Sequence, residues 1–313
     1  MGVGVPVVLV TGFLGAGKTS FINRLLADGD RRIAAVVNDF GAVNIDAGLV
    51  AGAAAGIVGL ANGCICCALQ GDLLRTLALL LRRDPGPEAI VIETSGVAEP
   101  GPILASLLDP VVWRETPLES VVGVADAVAL AAGERAADPL LRAQLQAADF
   151  VWLAKRDLLA AGQAPAAEAA LRALGARGRV LGEDALGLLF GAALHAAGTA
   201  PRRAGPVAAR FESLSWSGGA LSLARFQAAM QALAPRLVRA KGVLALDDRD
   251  QKLLFQMVGR RATLAPMARD GAEEDCETGS RLVLIWEIGA LERVAVQQTL
   301  EACSGADAAP RWR

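Results

Sequence analysis

Residues 5–20 read VPVVLVTGFLGAGKTS, and Gly12-Phe13-Leu14-Gly15-Ala16-Gly17-Lys18-Thr19 fits the pattern G-x-x-x-x-G-K-[ST]. The flanks of this segment constrain the fold more than the pattern itself. Val7-Val8-Leu9-Val10 is a short apolar run rich in β-branched residues, which predicts a buried strand. Residues 20–26 have helical spacing that turns Phe21, Ile22 and Leu25 inward. A strand, a glycine loop and a helix in that order form a cradle for phosphate groups. Glycines let backbone N–H groups turn inward without a Cβ clash, and the helix N-terminus adds partial positive charge. Gly12, Gly15, Ala16, Gly17, Lys18, Thr19 and Ser20 are therefore the expected phosphate-binding residues. Lys18 would reach the β- and γ-phosphates, and the Thr19 hydroxyl would hold Mg²⁺.

Further along, apolar runs alternate with helical patterns. Residues 33–37, 89–92, 121–124 and 150–153 read as strands, and residues 70–83, 100–109 and 138–147 as helices. Such alternation predicts an α/β fold, a parallel sheet with helices on both faces, and continuous apolar strands agree with two covered faces. The pattern changes near 199–206, a Pro/Gly/Arg stretch. The expected division is a phosphate-binding domain over 1–200, a linker over 201–206, a small C-terminal α+β domain over 207–303 and a frayed tail over 304–313. In the second domain, strands are expected near 207–216, 241–247, 252–258 and 281–287, and helices near 221–234 and 290–302.

Two strand ends carry further chemistry. Ile90-Val91-Ile92-Glu93-Thr94-Ser95-Gly96 is an apolar strand ending in an acid and a small polar turn, the expected place for a second, water-mediated Mg²⁺ ligand. Glu93 is longer than the usual Asp, and a water-mediated contact tolerates that. After Phe150-Val151-Trp152-Leu153, the triplet Lys155-Arg156-Asp157 has the K-x-D spacing of a guanine reader. The Asp157 carboxylate would accept hydrogen bonds from the guanine N1–H and 2-amino group, a pair adenine cannot donate. The Lys155 stem can lie over the base. Guanine readers carry Asn before the lysine; here it is Ala154, so guanine preference is expected to be weakened.

Cys64, Cys66 and Cys67 form a C-x-C-C cluster within Leu60-Ala61-Asn62-Gly63-Cys64-Ile65-Cys66-Cys67. Adjacent cysteines rarely bridge each other, and three converging thiolates suit Zn²⁺ or another borderline metal. The fourth ligand is left open between a carboxylate, another chain's thiolate and water. Buried inert thiols and redox sensing are the other readings of the cluster. Cys276 and Cys303 are read as incidental, and the single histidine, His195 in an Ala/Leu helix, as a packed core residue and not a ligand. The chain of 313 residues has a formal net charge of −2, with no basic surplus for nucleic acid or an anionic membrane surface. Residues 185–200 fall short of a spanning helix, and the N-terminus lacks the layout of a secretory signal. Clustered cysteines suit a reducing compartment, so a cytoplasmic protein is expected.

In order, GFLGAGKTS, VVNDFGAVNIDA, LANGCICC, IETSG and K-x-D resemble the CobW-like metallochaperone P-loop GTPases, related to the GTPases that insert nickel into hydrogenase and urease. Ser213-Leu214-Ser215-Trp216 and Arg239-Ala240-Lys241-Gly242 look like that family's second domain, so the resemblance runs through nearly the whole chain. It implies GTP hydrolysis coupled to delivery of a metal, zinc or cobalt, to a client metalloprotein, with Cys64, Cys66 and Cys67 holding the ion. It implies that Asn38-Asp39-Phe40-Gly41 belongs to a nucleotide-sensitive switch, with Asp39 or Glu93 orienting the attacking water. A nucleotide- or metal-dependent homodimer is a further expectation. Many relatives carry Glu at the positions of Asp39 and Ala42, so one carboxylate is kept and one is lost; the histidine-rich stretch of many relatives is absent. The competing functions are a nucleotide-gated regulatory protein with structural or redox cysteines, and a small-molecule kinase.

Overall fold

The computed structural model describes residues 4–27, 31–37, 57–59, 68–190, 211–259, 261–266 and 279–304. The chain divides into two compact units, residues 2–192 and 193–313. The expected linker at 201–206 lies outside the described residues, as does His195.

The first unit is built on a seven-stranded sheet in the order β3-β2-β4-β1-β5-β6-β7, in which every pairing is parallel. Its strands are β1 (Val7–Thr11), β2 (Ile33–Val37), β3 (Ile57–Gly59), β4 (Ala89–Glu93), β5 (Leu118–Asp126), β6 (Phe150–Ala154) and β7 (Arg179–Val180). Strands β1 and β4 are buried at every residue, as expected where both faces are covered. Val7 and Leu9 pack with Leu73, Leu77 and Leu80 of α2 (Ala68–Leu81) and with Ile103 and Leu107 of α3 (Pro100–Leu107). Val8 and Val10 are equally buried and point to the opposite face by strand alternation. Helix α1 (Lys18–Ala27) packs on β1 and β4 and buries Phe21, Ile22 and Leu25, the three residues its spacing selects.

Three later helices of this unit start where the sequence supplies caps. Asp109 accepts from Val111 N–H at the start of α4 (Pro110–Glu115). Asp126 accepts from Val128 and Ala129 N–H at the start of α5 (Ala127–Ala131), and Asp138 from Leu140 and Leu141 at the start of α6 (Pro139–Ala147). Helix α6 and α7 (Ala164–Ala173) pack Leu141, Leu145, Ala167 and Leu171 against Val151 and Leu153. Residues 183–190 form a 3-10 helix.

The second unit holds an antiparallel sheet in the order β11-β10-β9-β12-β8, made of β8 (Phe211–Gly218), β9 (Leu237–Leu246), β10 (Arg249–Val258), β11 (Arg261–Pro266) and β12 (Ser280–Glu287). Burial alternates along β8, the signature of a sheet with one packed face. That face carries Trp216, Leu282, Leu284 and Trp286 against α8 (Leu223–Leu233) and α9 (Arg293–Glu301). Cys303 closes this core, its thiol donating to the Thr299 carbonyl at 3.1 Å.

On the other face, Arg239 and Lys241 of β9 are buried. Burial, and then the neighbouring Arg239, push the Lys241 ammonium down to about 8. Burial, and then Arg261, depress the Arg239 guanidinium as well. The sign of the pH effect follows. Between about 8 and the ordinary value of 10.5, the folded chain has shed the Lys241 proton while the unfolded chain keeps it. Stability then rises with pH through that window. Thermal unfolding followed by tryptophan fluorescence should show a melting temperature that climbs from pH 8 to pH 10, with a smaller climb in Lys241→Met. Equal slopes in the two proteins would contradict the assignment.

Candidate nucleotide site

Because all seven strands run the same way, their carboxyl ends share one edge of the sheet, where parallel α/β folds place their ligands. Strand β1 ends there at Thr11 and the chain turns through residues 12–17 into α1. Gly12 has φ +149°, and a Cβ added to it would lie 2.3 Å from the Val124 carbonyl oxygen of β5. Only glycine lets the loop start this close to its neighbouring strand. The loop is closed internally: Ala16 N–H donates to the Phe13 carbonyl at 3.1 Å, and Lys18 Nζ donates to the same oxygen at 3.3 Å. Lys18 is 7% exposed, so its charge is held inside the loop instead of being spread into solvent. Thr19 is half-buried in the first turn of α1, and Ser20 is exposed.

Strand β4 runs beside β1, with Glu93 opposite Val10. Glu93 therefore ends one strand away from the loop, and it is 4% exposed. The two strand ends are stitched together: Thr94 N–H donates to the Val10 carbonyl at 2.9 Å, and the Thr94 hydroxyl donates to the Thr11 hydroxyl at 3.1 Å. The turn after Glu93 then folds over the loop. A Cβ on Gly96 would sit 2.7 Å from the Leu14 amide nitrogen and 3.0 Å from Lys18 Nζ. On the far side of this turn, Gln144 of α6 donates to the Gly96 and Ala98 carbonyls.

The K-x-D triplet arrives from the other side. Asp126 at the end of β5 pairs with Ala154 at the end of β6. A Cβ on Gly17 would be 3.1 Å from the Ala154 Cβ, so the residue standing where guanine readers carry Asn abuts the phosphate loop itself. Lys155 adopts φ +59°, and its ammonium pairs with Asp126 Oδ2 at 2.5 Å. Asp157 lies in an exposed 3-10 turn immediately after. Burial alone would raise the Asp126 carboxyl; the Lys155 hydrogen bond, two backbone N–H donors and the Lys155 charge outweigh it and hold it below the ordinary carboxylate range. The ammonium is thus anchored at Asp126, at the end of the neighbouring strand.

The structure brings together Gly12, Gly15, Ala16, Gly17, Lys18, Thr19, Ser20, Glu93, Lys155 and Asp157 on one sheet edge. Asp39, Cys64, Cys66 and Cys67 lie outside the described residues, as does Cys276. The strands leading to the first four are described, however. Val37 of β2 pairs with Gly59 of β3, so the strands that precede Asp39 and the cysteines in the sequence end side by side at this same edge. Among the described residues, no group of three or more His, Cys, Asp or Glu side chains converges as a metal site. No described helix is long and apolar enough to cross a membrane.

Three contacts were not anticipated from sequence. Asp126 is recognisable as a helix cap, an acid before an Ala/Val/Leu run, but its ion pair with Lys155 crosses 29 positions. The Arg135 guanidinium lies 4.3 Å from the Phe13 ring centroid, with Arg135 at φ +56°. Gln144 reaches back 48 positions to Gly96.

Comparison with known proteins agrees with this geometry. Residues 6–181 match the family model described as CobW/HypB/UreG, nucleotide-binding domain, and residues 211–304 match the cobalamin synthesis protein cobW C-terminal domain. The zinc chaperone CobW of Pseudomonas aeruginosa is 31% identical over 305 residues, covering 82% of this chain and 81% of that protein. The zinc chaperone YjiA of Escherichia coli is 32% identical over 278 residues, covering 82% and 86%. The zinc chaperone CobW of a Sinorhizobium species is 37% identical over 183 residues, 50% of this chain and 52% of that protein, so the match spans about half the length of that relative.

Proposed function

We propose, from the fact that this chain belongs to the CobW/HypB/UreG family, that it is a GTP-hydrolysing metallochaperone of the cytoplasm. It holds zinc, or cobalt, through Cys64, Cys66 and Cys67 and hands the ion to a client metalloprotein. One observation carries the reading. The carboxyl ends of β3, β2, β4, β1, β5 and β6 follow one another along a single edge. In the sequence those strands end in, or are followed by, the cysteine motif, Asp39, Glu93, the phosphate loop, Asp126 and the K-x-D triplet, in that order. Neighbouring strands lie about 4.8 Å apart, so the end of β3 at Gly59 and the end of β1 at Thr11 are separated by roughly 15 Å.

The residues present fit a triphosphate. The loop approaches too closely for any side chain at Gly12, it runs directly into the first turn of α1, and Lys18 supplies a shielded charge. The donor set fits Mg²⁺, a hard cation taking oxygen ligands: the Thr19 hydroxyl in the first turn of α1 and the Glu93 carboxylate one strand away. When bound, that ion neutralises charge developing on the β- and γ-phosphate oxygens. The chain's own residues do the rest. Lys18 holds the terminal phosphates, Asp39 or Glu93 orients the attacking water, and Asp157 accepts from the guanine edge. Turnover without a partner is slow. A change at the γ-phosphate reaches the Asp39 segment first, and through the adjoining strand end it alters how the three thiolates grip their cargo. A homodimer that forms with nucleotide or metal belongs to the same reading.

Base selectivity tests the nucleotide half. Wild-type protein should bind GTP more tightly than ATP, by a margin reduced because Ala154 lacks the Asn amide. Asp157→Asn should lower GTP affinity by about 10- to 100-fold. The same variant should gain affinity for xanthosine triphosphate, because the carboxamide presents an N–H to the 2-oxo group where the carboxylate accepted from the 2-amino group. Fluorescent-nucleotide titration gives all three values. An unchanged GTP affinity in Asp157→Asn would contradict the base-reading role.

A further inference from the structure

Gln144 has no part in the site as read so far, yet its side chain is fully buried in α6 and aimed at the nucleotide turn. Its Nε2 donates to two backbone carbonyls of the turn after Glu93, at 3.3 Å to Gly96 and 3.1 Å to Ala98. Its Oε1 is buried with no hydrogen-bond partner among the described residues. A buried carboxamide with an unmet acceptor costs stability, and an apolar side chain of the same volume would fill the space without that cost. The feature that distinguishes glutamine here is its donor.

The turn it holds is the one that meets the phosphate loop. Gly96 lies against the Leu14 amide and Lys18 Nζ, with no room for a Cβ. Thr94 fastens the near side of the turn to β1 through Val10 and Thr11. Gln144 fastens the far side to α6, which leads within a few residues into β6 and Lys155. The position of Gly96 over Lys18 is thus set by one attachment to the phosphate-loop strand and one to the helix that precedes the base-reading triplet.

We propose that Gln144 is a positioning residue for recognition of the terminal phosphate: its two hydrogen bonds hold the Gly96 turn over Lys18, so that binding a triphosphate is distinguished from binding a diphosphate. The inference rests on the nucleotide-site reading above. It makes Gln144 dispensable for the parts of the site that hold the α- and β-phosphates and the base, and required for the response to the third phosphate.

The test uses Gln144→Met, which keeps the length and volume but cannot donate, and Gln144→Glu, which sets an acceptor against two carbonyls. Circular dichroism and thermal unfolding confirm that each is folded. Affinities for GDP and for a non-hydrolysable GTP analogue are measured by fluorescent-nucleotide titration, and kcat and KM for GTP by phosphate release. The expected result in either folded variant is a GDP affinity within about twofold of wild type, a triphosphate-to-diphosphate affinity ratio reduced by about tenfold, the scale of two neutral hydrogen bonds, and a fall in kcat. A merely structural role would weaken both nucleotides together. If wild type binds neither nucleotide, the site reading itself fails and the inference with it. If wild type distinguishes the two nucleotides and the folded variants do so to the same degree, the inference fails while the site reading stands.

Discussion

Alanine in place of Lys18 is expected to lower GTP turnover by about 100- to 1,000-fold, the range seen when one preorganised charge donor is removed from a transition state. The structure gives the reason. Lys18 is buried, and its ammonium is set inside the loop by the Phe13 carbonyl. The charge is therefore in place before the phosphates arrive, and little reorganisation is needed as negative charge develops on them. Triphosphate affinity should fall more than diphosphate affinity, because the ammonium serves the terminal groups. The fold should survive, since the strand, the turn and the α1 core residues Phe21, Ile22 and Leu25 do not depend on that amine. Phosphate release under saturating GTP measures the effect. Turnover within about threefold of wild type would remove Lys18 from the machinery.

The second large effect is expected at the cysteines. Cys66→Ser or Cys67→Ser replaces a thiolate by a hydroxyl, which stays protonated at neutral pH and is a poor ligand for a borderline metal. Changes that only reorient a ligand already cost 10- to 100-fold in metal affinity, so loss of a ligating thiolate should exceed about 100-fold. Nucleotide affinity in these variants should stay near wild type, because the phosphate loop and the K-x-D turn follow β1 and β6, away from β3. Equal zinc affinities in wild type and variants would assign the cluster to packing or redox chemistry.

Much of the fold is readable from local pattern because its physics is local. Val7–Thr11 and Ala89–Glu93 are continuous apolar runs, which a two-sided core demands, and β8 alternates because its sheet packs on one side. The elements that escape notice lack such a pattern. Strand β7 has two residues, β11 is a half-exposed edge, and α7 is largely alanine, so Leu171 is the one large apolar side chain marking its buried face. The site divides in the same way. Gly12 to Ser20, Glu93 and Lys155-x-Asp157 are legible because each motif is contiguous and placed by its own strand. The partnerships of Asp126 with Lys155 and of Gln144 with Gly96 are not, because they depend on strand order. Nothing in the residues of β5 states that β1 flanks it on one side and β6 on the other. The packing of Ala154 on Gly17 belongs to this class: the sequence displays the missing Asn, and the fold shows what stands against the gap.

The central claim is that nucleotide state governs metal grip through neighbouring strand ends. Its most direct test is a zinc titration of the wild-type chain with Mg²⁺ present, once loaded with GDP and once with a non-hydrolysable GTP analogue, with Cys66→Ser and Cys67→Ser as blanks. The account predicts two zinc affinities differing by about 5-fold or more, the lower limit of ordinary site-to-site coupling, and a difference that vanishes in both variants. A single zinc affinity regardless of nucleotide, in a protein that binds both nucleotides, would contradict it.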